Sequence, residues 1–434
     1  VTAAEFAAAY ASGCDAGPIA VGHDGRRSAA VFSAAVEAAV AATGHDAILL
    51  GPVATPTIGW LVRNSGLAGG IQISASHNPS EYNGLKFFQR QGMVLGSEQG
   101  RVLLDRWHRR DLGWSRWDGL GTASRLDDPD SGHLARILEI VDLEAIRGCG
   151  FKVALDACHG AGGRLASRLF DALGVASIVV GGVPDGRYDH VPEPTESNLK
   201  DFSAIVPAVG AAVGFAQDPD ADRLAVVDET GRYIGEELTL ALAARHRLED
   251  ARGPVVLNLS TSMTTEKLAL ARGCPVHRTP VGEIHVVERM IAEDAVLGGE
   301  GNGGVIDPRV GFVRDSFVAM ALILDLMARS SAALSRLVSD LPRFCMVKDR
   351  YPIPKRMGTA GVGRMTSLWE QIASAFPEAR ADHRDGLRLD WGDRWVHVRA
   401  SNTEPIVRVI AEAPDAAEAR DLSARIGRWM EEAE

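Results

Sequence analysis

Apolar positions fall in short runs of strand length, each followed by a polar turn and then an amphipathic helix. His45 to Gly66, HDAILLGPVATPTIGWLVRNSG, reads as a strand, a turn with Thr55 and Thr57, and a helix. Phe151 to Gly174, FKVALDACHGAGGRLASRLFDALG, follows the same plan, with glycines between Gly160 and Gly163 at the turn. Gly253 to Cys274, GPVVLNLSTSMTTEKLALARGC, follows it again, with Ser260, Thr261, Ser262, Thr264 and Thr265 there. Strand–turn–helix units of this kind build α/β layers. After each comes a further apolar run with an unusual loop: GGIQISASHNPSEYNGLKFF, AAVGFAQDPDADRLAVVDETG and AVLGGEGNGGVIDP. The order of elements predicts three similar α/β domains with mixed sheets, over 1–130, 131–232 and 233–342.

The tail has a different rhythm. In DGLRLDWGDRWVHVRASNTEPIVRVIAEA, Leu387, Leu389 and Trp391, then Val396 and Val398, then Ile406, Val407 and Val409 mark alternating strands, and DAAEARDLSARIGRWMEEA reads as a closing helix. Antiparallel strands with helices on one face predict a C-terminal α+β domain over 343–434. With one polar loop per domain, the economical arrangement is a central cleft lined by all four.

Composition narrows the class. The 434 residues are 46% hydrophobic and 24% charged, as in ordinary globular proteins. No apolar run approaches the ~18 residues of a membrane span. A net charge of −11 argues against nucleic acid as a partner. Five scattered cysteines without a CxxC spacing indicate neither a disulfide framework nor a zinc site, which fits a cytoplasmic setting. The chain begins without Met inside a helix-like run, TAAEFAAAYASG, so residues are expected to precede Val1.

The loops carry the chemistry. In DPDADR, Asp218, Asp220 and Asp222 stand at i, i+2 and i+4. If extended, all three point to one face, where their repulsion calls for a hard cation such as Mg²⁺. An EF-hand would also use Asp218, Asp220, Asp222 and Glu229, but Arg223 stands where the sharp turn needs Gly, and the flanks read as strands. A solvated acidic turn is the blander reading. Arg223 adds a fixed cation suited to phosphate. In SASHNPSEYNGLKFF, Ser76 is a candidate nucleophile with His77 and Lys86 near it. Asn78-Pro79 and Asn83-Gly84 alone would make an ordinary polar turn, and a hydrolase triad lacks its G-x-S-x-G elbow. GGEGNGG offers Glu300 and Asn302 on a backbone that a ligand can approach closely, or simply a flexible loop. RASNTEPIVR offers Arg399, Ser401, Asn402, Thr403 and Arg408 as a phosphate cradle, or a capping turn.

Together and in this order, the four loops resemble those of the α-D-phosphohexomutase family, nearly end to end: SASHNP the phosphoserine loop, DPDADR the Mg²⁺ loop, GGEGNGG the sugar loop and RASNTEP the phosphate-binding loop. The resemblance implies reversible transfer of phosphate between O1 and O6 of a hexose phosphate, through a phosphoserine at Ser76 and a hexose 1,6-bisphosphate that also serves as activator. It implies Mg²⁺ held by Asp218, Asp220, Asp222 and the Ser76 group. Arg223 and Lys86 would assist transfer, with Lys86 the candidate acid or base. His77 would position the serine loop, and Arg26 in GHDGRRS matches a further basic residue of the first domain. Glu300 and Asn302 would hold sugar hydroxyls, and Arg399, Ser401, Asn402, Thr403 and Arg408 the phosphate that is not transferred. Three departures stand out. The family's opening F-G-T-x-G-x-R-G loop is absent here, Pro219 and Ala221 replace metal-loop glycines, and Asn302 and Gly304 replace the Ser and His of G-E-x-S-G-H. GGEGNGG resembles phosphoglucosamine mutases, whereas RASNTEP is shared with phosphomannomutase/phosphoglucomutase types. A phosphoglucosamine mutase, monomeric or homodimeric, is therefore expected. A catalytically silent sugar-phosphate binding protein and a Mg²⁺ phosphatase are the competing readings.

Overall fold

The computed structural model describes residues 1–353, 361–401 and 406–432. The first sheet has β1 (Ile19–His23), β2 (Ala47–Pro52), β3 (Gly69–Ile73), β4 (Leu85–Phe88) and β5 (Ala123–Arg125), in the order β4-β3-β1-β2-β5. The second has β6 (Lys152–Asp156), β7 (Ala176–Val180), β8 (Val213–Gln217) and β9 (Leu224–Asp228), in the order β7-β6-β8-β9. The third has β10 (Val255–Asn258), β11 (Val276–Thr279), β12 (Leu297–Glu300) and β13 (Gly304–Ile306), in the order β11-β10-β12-β13.

These are one topology used three times. In each domain the first strand is central, the second pairs parallel on one side and the third parallel on the other. The fourth then returns antiparallel at the edge. The serine, aspartate and glycine loops are therefore the same element: the hairpin between the third and fourth strands. One expectation needs correction. HDAILLGPVATPTIGWLVRNSG is built on β2, the second strand of its domain, whereas the other two units are built on first strands. The true counterpart is β1 with the turn Asp24–Arg26. Each domain contains two β-turn-α units of the same period, so apolar patterning alone cannot tell which is first.

The first and third strands are buried along most of their length, as expected where helices cover both faces. Between the second and third domains runs the helix Ser316–Ser330, buried from Ser316 to Ala328 and packed on the helix Glu236–Asp250. Its one internal carboxylate, Asp325, is matched by His246 at 2.6 Å. No helix among the described residues is long and apolar enough to cross a membrane.

The last sheet is wholly antiparallel, with β14 (Cys345–Pro352), β15 (Arg380–Asp382), β16 (Leu387–Asp390), β17 (Trp395–Ala400) and β18 (Ile406–Ala413) in the order β14-β18-β17-β16-β15. Leu387, Leu389, Val396, Val398, Val407 and Val409 share one core with Leu368, Trp369 and Ile372 of the helix Gly361–Ala375 and with Leu422 and Ile426 of the helix Ala416–Glu432. The α+β expectation holds, with both helices on one face. The other face meets the third domain. Ser260 Oγ and His397 Nδ1 lie 2.8 Å apart, Met263 N–H donates to Glu412 at 2.8 Å, and Lys348 reaches Glu236 at 2.7 Å.

Candidate active site

The serine loop is held from below. Ser76 adopts φ +50, a left-handed conformation costly for a residue with a Cβ. Its N–H donates to Ser74 Oγ at 2.8 Å, and Ser74 Oγ donates to Asp24 Oδ2 at 2.7 Å. Arg26, 2% exposed, pairs with Asp24 at 2.8 Å and donates to the carbonyls of Pro79 at 2.7 Å, Tyr82 at 3.1 Å and Ser76. The resemblance counts Arg26 among the catalytic residues; the structure places it beneath the loop, with all its side-chain nitrogens donating to Asp24 or to the loop's carbonyls.

That shape aims Ser76 at the aspartate loop: Ser76 Oγ donates to Asp218 Oδ2 at 2.6 Å across the domain boundary. Asp218, Asp220 and Asp222 are all 0% exposed, and one oxygen from each lies within 4.8 Å of the others. They do not converge as alternate residues of an extended strand. Ala221 N–H donates to Asp218 O at 2.9 Å and Ala221 takes φ +56, so a tight turn gathers them. The turn explains why glycine is the common choice at this point, and Ala221 tolerates it at some cost. The flanks are β8 and β9, and Glu229 is bound to Ser335 instead, which rules out the EF-hand.

Cations surround the triad. Lys86 Nζ donates to Asp220 Oδ2 at 2.5 Å and to Asp222 Oδ2 at 2.9 Å. Burial disfavours its charge, but Asp220 and Asp222 prevail and hold the ammonium above its usual range. Arg223 donates its backbone N–H to Asp218 Oδ1 at 3.2 Å, while its side-chain Nε has no hydrogen-bond partner. Thr55 donates both its N–H, to Asp220 O at 2.9 Å, and its hydroxyl, to Asp220 Oδ2, tying the first domain to the second. His77 lies beside this group, its Nδ1 without a partner; burial and then Arg223 push its pKa down to about 3.

Burial, then Asp222 and Asp220, push the Asp218 carboxyl well above the usual range. Burial acts the same way on Asp222, but Arg314, Lys86 and Arg223 overcome it and hold that carboxyl low. Asp220 Oδ1 and Asp222 Oδ1 are buried without any hydrogen-bond partner. Orphaned carboxylate oxygens in a dry, all-oxygen cluster are a poor end state for protein alone and a fitting donor set for Mg²⁺.

The glycine loop joins the same network through a residue that periodicity did not flag. Arg314 Nη2 donates to Asp222 Oδ2 at 2.6 Å, and Nη1 donates to Glu300 Oε2 at 2.7 Å. Its Nε lies 3.3 Å from Glu283 Oε2. Glu300, 2% exposed, also accepts from Asn258 Nδ2 at 2.8 Å and Gly282 N–H at 2.9 Å. Asn302 Oδ1 is likewise buried without a hydrogen-bond partner. The only sequence signal for Arg314 was its place just before Asp315, which caps the helix Ser316–Ser330 by accepting from Phe317 and Val318 N–H.

In the last domain Arg399, 9% exposed, is held by Asp385 at 3.1 Å, and Asp385 in turn accepts from Val281 N–H of the third domain at 2.9 Å. Register sets Arg399 opposite Arg408, and Arg408 opposite Arg350. Like charges placed directly opposite are unfavourable in a sheet unless an anion joins them. Ser401 N–H closes the loop on Ile406 O at 2.8 Å. Asn402 and Thr403 lie outside the described residues.

Comparison with known proteins follows the same four-part division. Family models for phosphoglucomutase/phosphomannomutase domains I, II, III and C-terminal match residues 1–112, 131–231, 235–344 and 364–428. A protein of Thermococcus kodakarensis named "Phosphoglucomutase/phosphomannomutase" is 35% identical over 96% of this chain and 90% of its own length. One of Methanopyrus kandleri named "Probable phosphoglucosamine mutase" is 34% identical over 94% and 88%. A Burkholderia thailandensis crystal structure of a phosphoglucomutase/phosphomannomutase family protein superposes with a TM-score of 0.85 at 26% identity, over 100% of this chain and 93% of that one. A fold likeness extends to the Aspergillus fumigatus N-acetylphosphoglucosamine mutase, solved with GlcNAc-6P and magnesium, at a TM-score of 0.58 and 16% identity, over 87% and 92%. With four consecutive domain matches and full-length relatives above 30% identity, the chain belongs to the phosphoglucomutase/phosphomannomutase family of α-D-phosphohexomutases.

Proposed function

We propose that the chain moves a phosphoryl group between O1 and O6 of a hexose phosphate, with Ser76 as the carrier, and that glucosamine phosphate is its substrate. The observation that carries this reading is Ser76 Oγ, fixed 2.6 Å from Asp218 in a buried carboxylate triad ringed by Lys86 and Arg223. A hydrolase needs a base and a water path at the serine. Here the serine faces charge-balancing groups suited to carrying a dianion.

In the forward direction the bond between Ser76 Oγ and phosphorus breaks as a sugar oxygen bonds to the same phosphorus. Ser76 Oγ takes a proton as it leaves and the sugar hydroxyl loses one as it attacks; Lys86, an ammonium at rest, is the candidate to give the first and then receive the second. Asp218, Asp220 and Asp222 would hold Mg²⁺, which supplies charge neutralisation at the phosphoryl oxygens when bound. Arg26 keeps the serine loop in shape, and Arg223, whose Nε lies 3.7 Å from Asp222 Oδ1 without a hydrogen bond, would grip a phosphoryl oxygen. Arg399, Ser401, Asn402, Thr403 and Arg408 would hold the other phosphate, while Glu300 and Asn302 read the sugar. Separate grips on phosphate and sugar let the bisphosphate rebind reversed, so Ser76 recovers the other phosphoryl group. Hexose 1,6-bisphosphate would then act as activator.

The name phosphoglucosamine mutase predominates among the relatives, and GGEGNGG favours that sugar. The relative named phosphoglucomutase/phosphomannomutase supports glucose or mannose phosphates as the second reading. Side-by-side kinetics on the 1-phosphates of glucosamine, glucose and mannose, with Mg²⁺ and bisphosphate, decides between them. Glucosamine 1-phosphate is expected to show the highest kcat/KM. A preference for either other sugar overturns the assignment, and no turnover on any of them overturns the mutase reading itself.

A further inference from the structure

Gly304 is a glycine that its backbone does not require. It is not among the positive-φ residues, and it pairs with Glu300 in the β12–β13 hairpin like any strand residue. What it supplies is space. A Cβ there would stand 2.2 Å from Arg314 Cδ and 2.8 Å from Arg314 Cγ, inside any tolerable contact. The arginine stem therefore crosses the sugar loop through the gap that Gly304 leaves open. It ends between Asp222 of the aspartate loop at 2.6 Å and Glu300 of the sugar loop at 2.7 Å. Its backbone is equally fixed. Arg314 N–H donates to Glu283 Oε1 at 3.0 Å, and the next residue, Asp315, is pinned by its helix cap and by His133 at 2.7 Å. A single cation on a rigid element thus serves three acidic residues, one from each of the two loops and one from the start of the helix Glu283–Glu293.

We propose that Arg314 is a positioning residue that couples the sugar loop to the metal loop, holding Glu300 in place while weakening the aspartates' grip on a divalent cation, and that Gly304 exists to admit it. The sugar half of this inference rests on the mutase reading; the cation half and the Gly304 pairing do not. The physical reason is charge bookkeeping at short range. Arg314 already neutralises part of Asp222, so a cation arriving there competes with it. A linkage of this sort acts equally in both directions.

Two charge variants of Arg314, and Gly304→Ala made with and without Arg314→Ala, separate this role from a merely structural one. Arg314→Met removes the charge and keeps the bulk; it should tighten Mg²⁺ binding by about tenfold in calorimetry, while KM for the sugar phosphate rises. Arg314→Lys should keep the parent's Mg²⁺ affinity, because a charge remains near Asp222. Its KM should still rise, because an ammonium cannot fork to both carboxylates. Gly304→Ala should lower the melting temperature of the parent but cost clearly less in an Arg314→Ala background, where only Asn302 Oδ1, at 3.1 Å from the new Cβ, stays close. Weaker or unchanged Mg²⁺ binding in Arg314→Met would overturn the coupling, as would an equal cost of Gly304→Ala in both backgrounds. The calorimetric and melting results need no turnover. A mutase reading that fails on every sugar therefore leaves them standing, and their failure leaves the mutase reading standing.

Discussion

Arg26→Met removes the support beneath the serine loop while nearly conserving volume. Asp24, 0% exposed, loses its only ion-pair partner among the described residues and keeps hydrogen bonds from Ser74 Oγ and the backbone N–H at position 26. Stranding one member of a buried pair costs about 3–5 kcal/mol. The carbonyls of Pro79 and Tyr82 lie on an exposed stretch where water can replace the guanidinium, so they add little, and the buried Ser76 carbonyl loses its donor within the same range of cost. The net loss, about 4 kcal/mol, corresponds to a fall of about 15 °C in melting temperature for a first domain of about 130 residues that melts as a unit. Turnover should fall by at least about 100-fold, because Ser76 is no longer aimed at Asp218. Differential scanning calorimetry on Arg26→Met, Asp24→Asn and the double variant tests the cause. If the stranded carboxylate dominates, the double variant is more stable than the sum of the two single losses by about 2 kcal/mol. Additive losses, or an Arg26→Met protein that melts with the parent, would refute the reasoning.

Arg223→Gln should leave the melting temperature within about 2 °C of the parent, since its Nε makes no internal hydrogen bond and exposed or weakly paired changes cost little. Its kcat should nevertheless fall by about 10²–10³, the usual loss when a charge-stabilising donor is removed. Chelation with EDTA should abolish turnover and lower the melting temperature, and both should return with Mg²⁺, because a ligand bound only by the folded state stabilises it. His190, 2.8 Å from Asp156, has its pKa raised above the usual 6.5, first by that hydrogen bond. A raised folded pKa means the contribution is fully present below 6.5 and disappears as pH rises through the folded value. Parent and His190→Gln should therefore differ in melting temperature in mild acid and converge in mild alkali; a gap that widens with pH would contradict the assignment.

Much of this was legible in the chain. Alternation in the tail gave the antiparallel sheet. The order of runs gave three α/β units and placed the four loops, because a hairpin between buried strands must advertise itself as polar residues between apolar runs. What failed was anything set by the third dimension. The first repeat was assigned to β2 because two β-turn-α units share one period. The aspartates were aligned by strand alternation, whereas a turn at Ala221 gathers them. Arg26 was singled out through the family resemblance alone, because the carbonyls it serves, up to 56 residues away, leave no mark along the chain. Arg314 went unnoticed because a single arginine before a helix cap has no periodicity; only its partners 14 and 92 residues away give it meaning.

The central claim is that Ser76 carries the phosphoryl group. Intact-mass and peptide mass spectrometry, after incubation with Mg²⁺ and a hexose 1,6-bisphosphate, tests it most directly. One phosphoryl group on the peptide containing Ser76 is expected in the parent, discharged on adding hexose 6-phosphate and absent in Ser76→Ala. A parent that isomerises hexose phosphates while unlabelled, or a Ser76→Ala protein that is labelled and turns over like the parent, would contradict it.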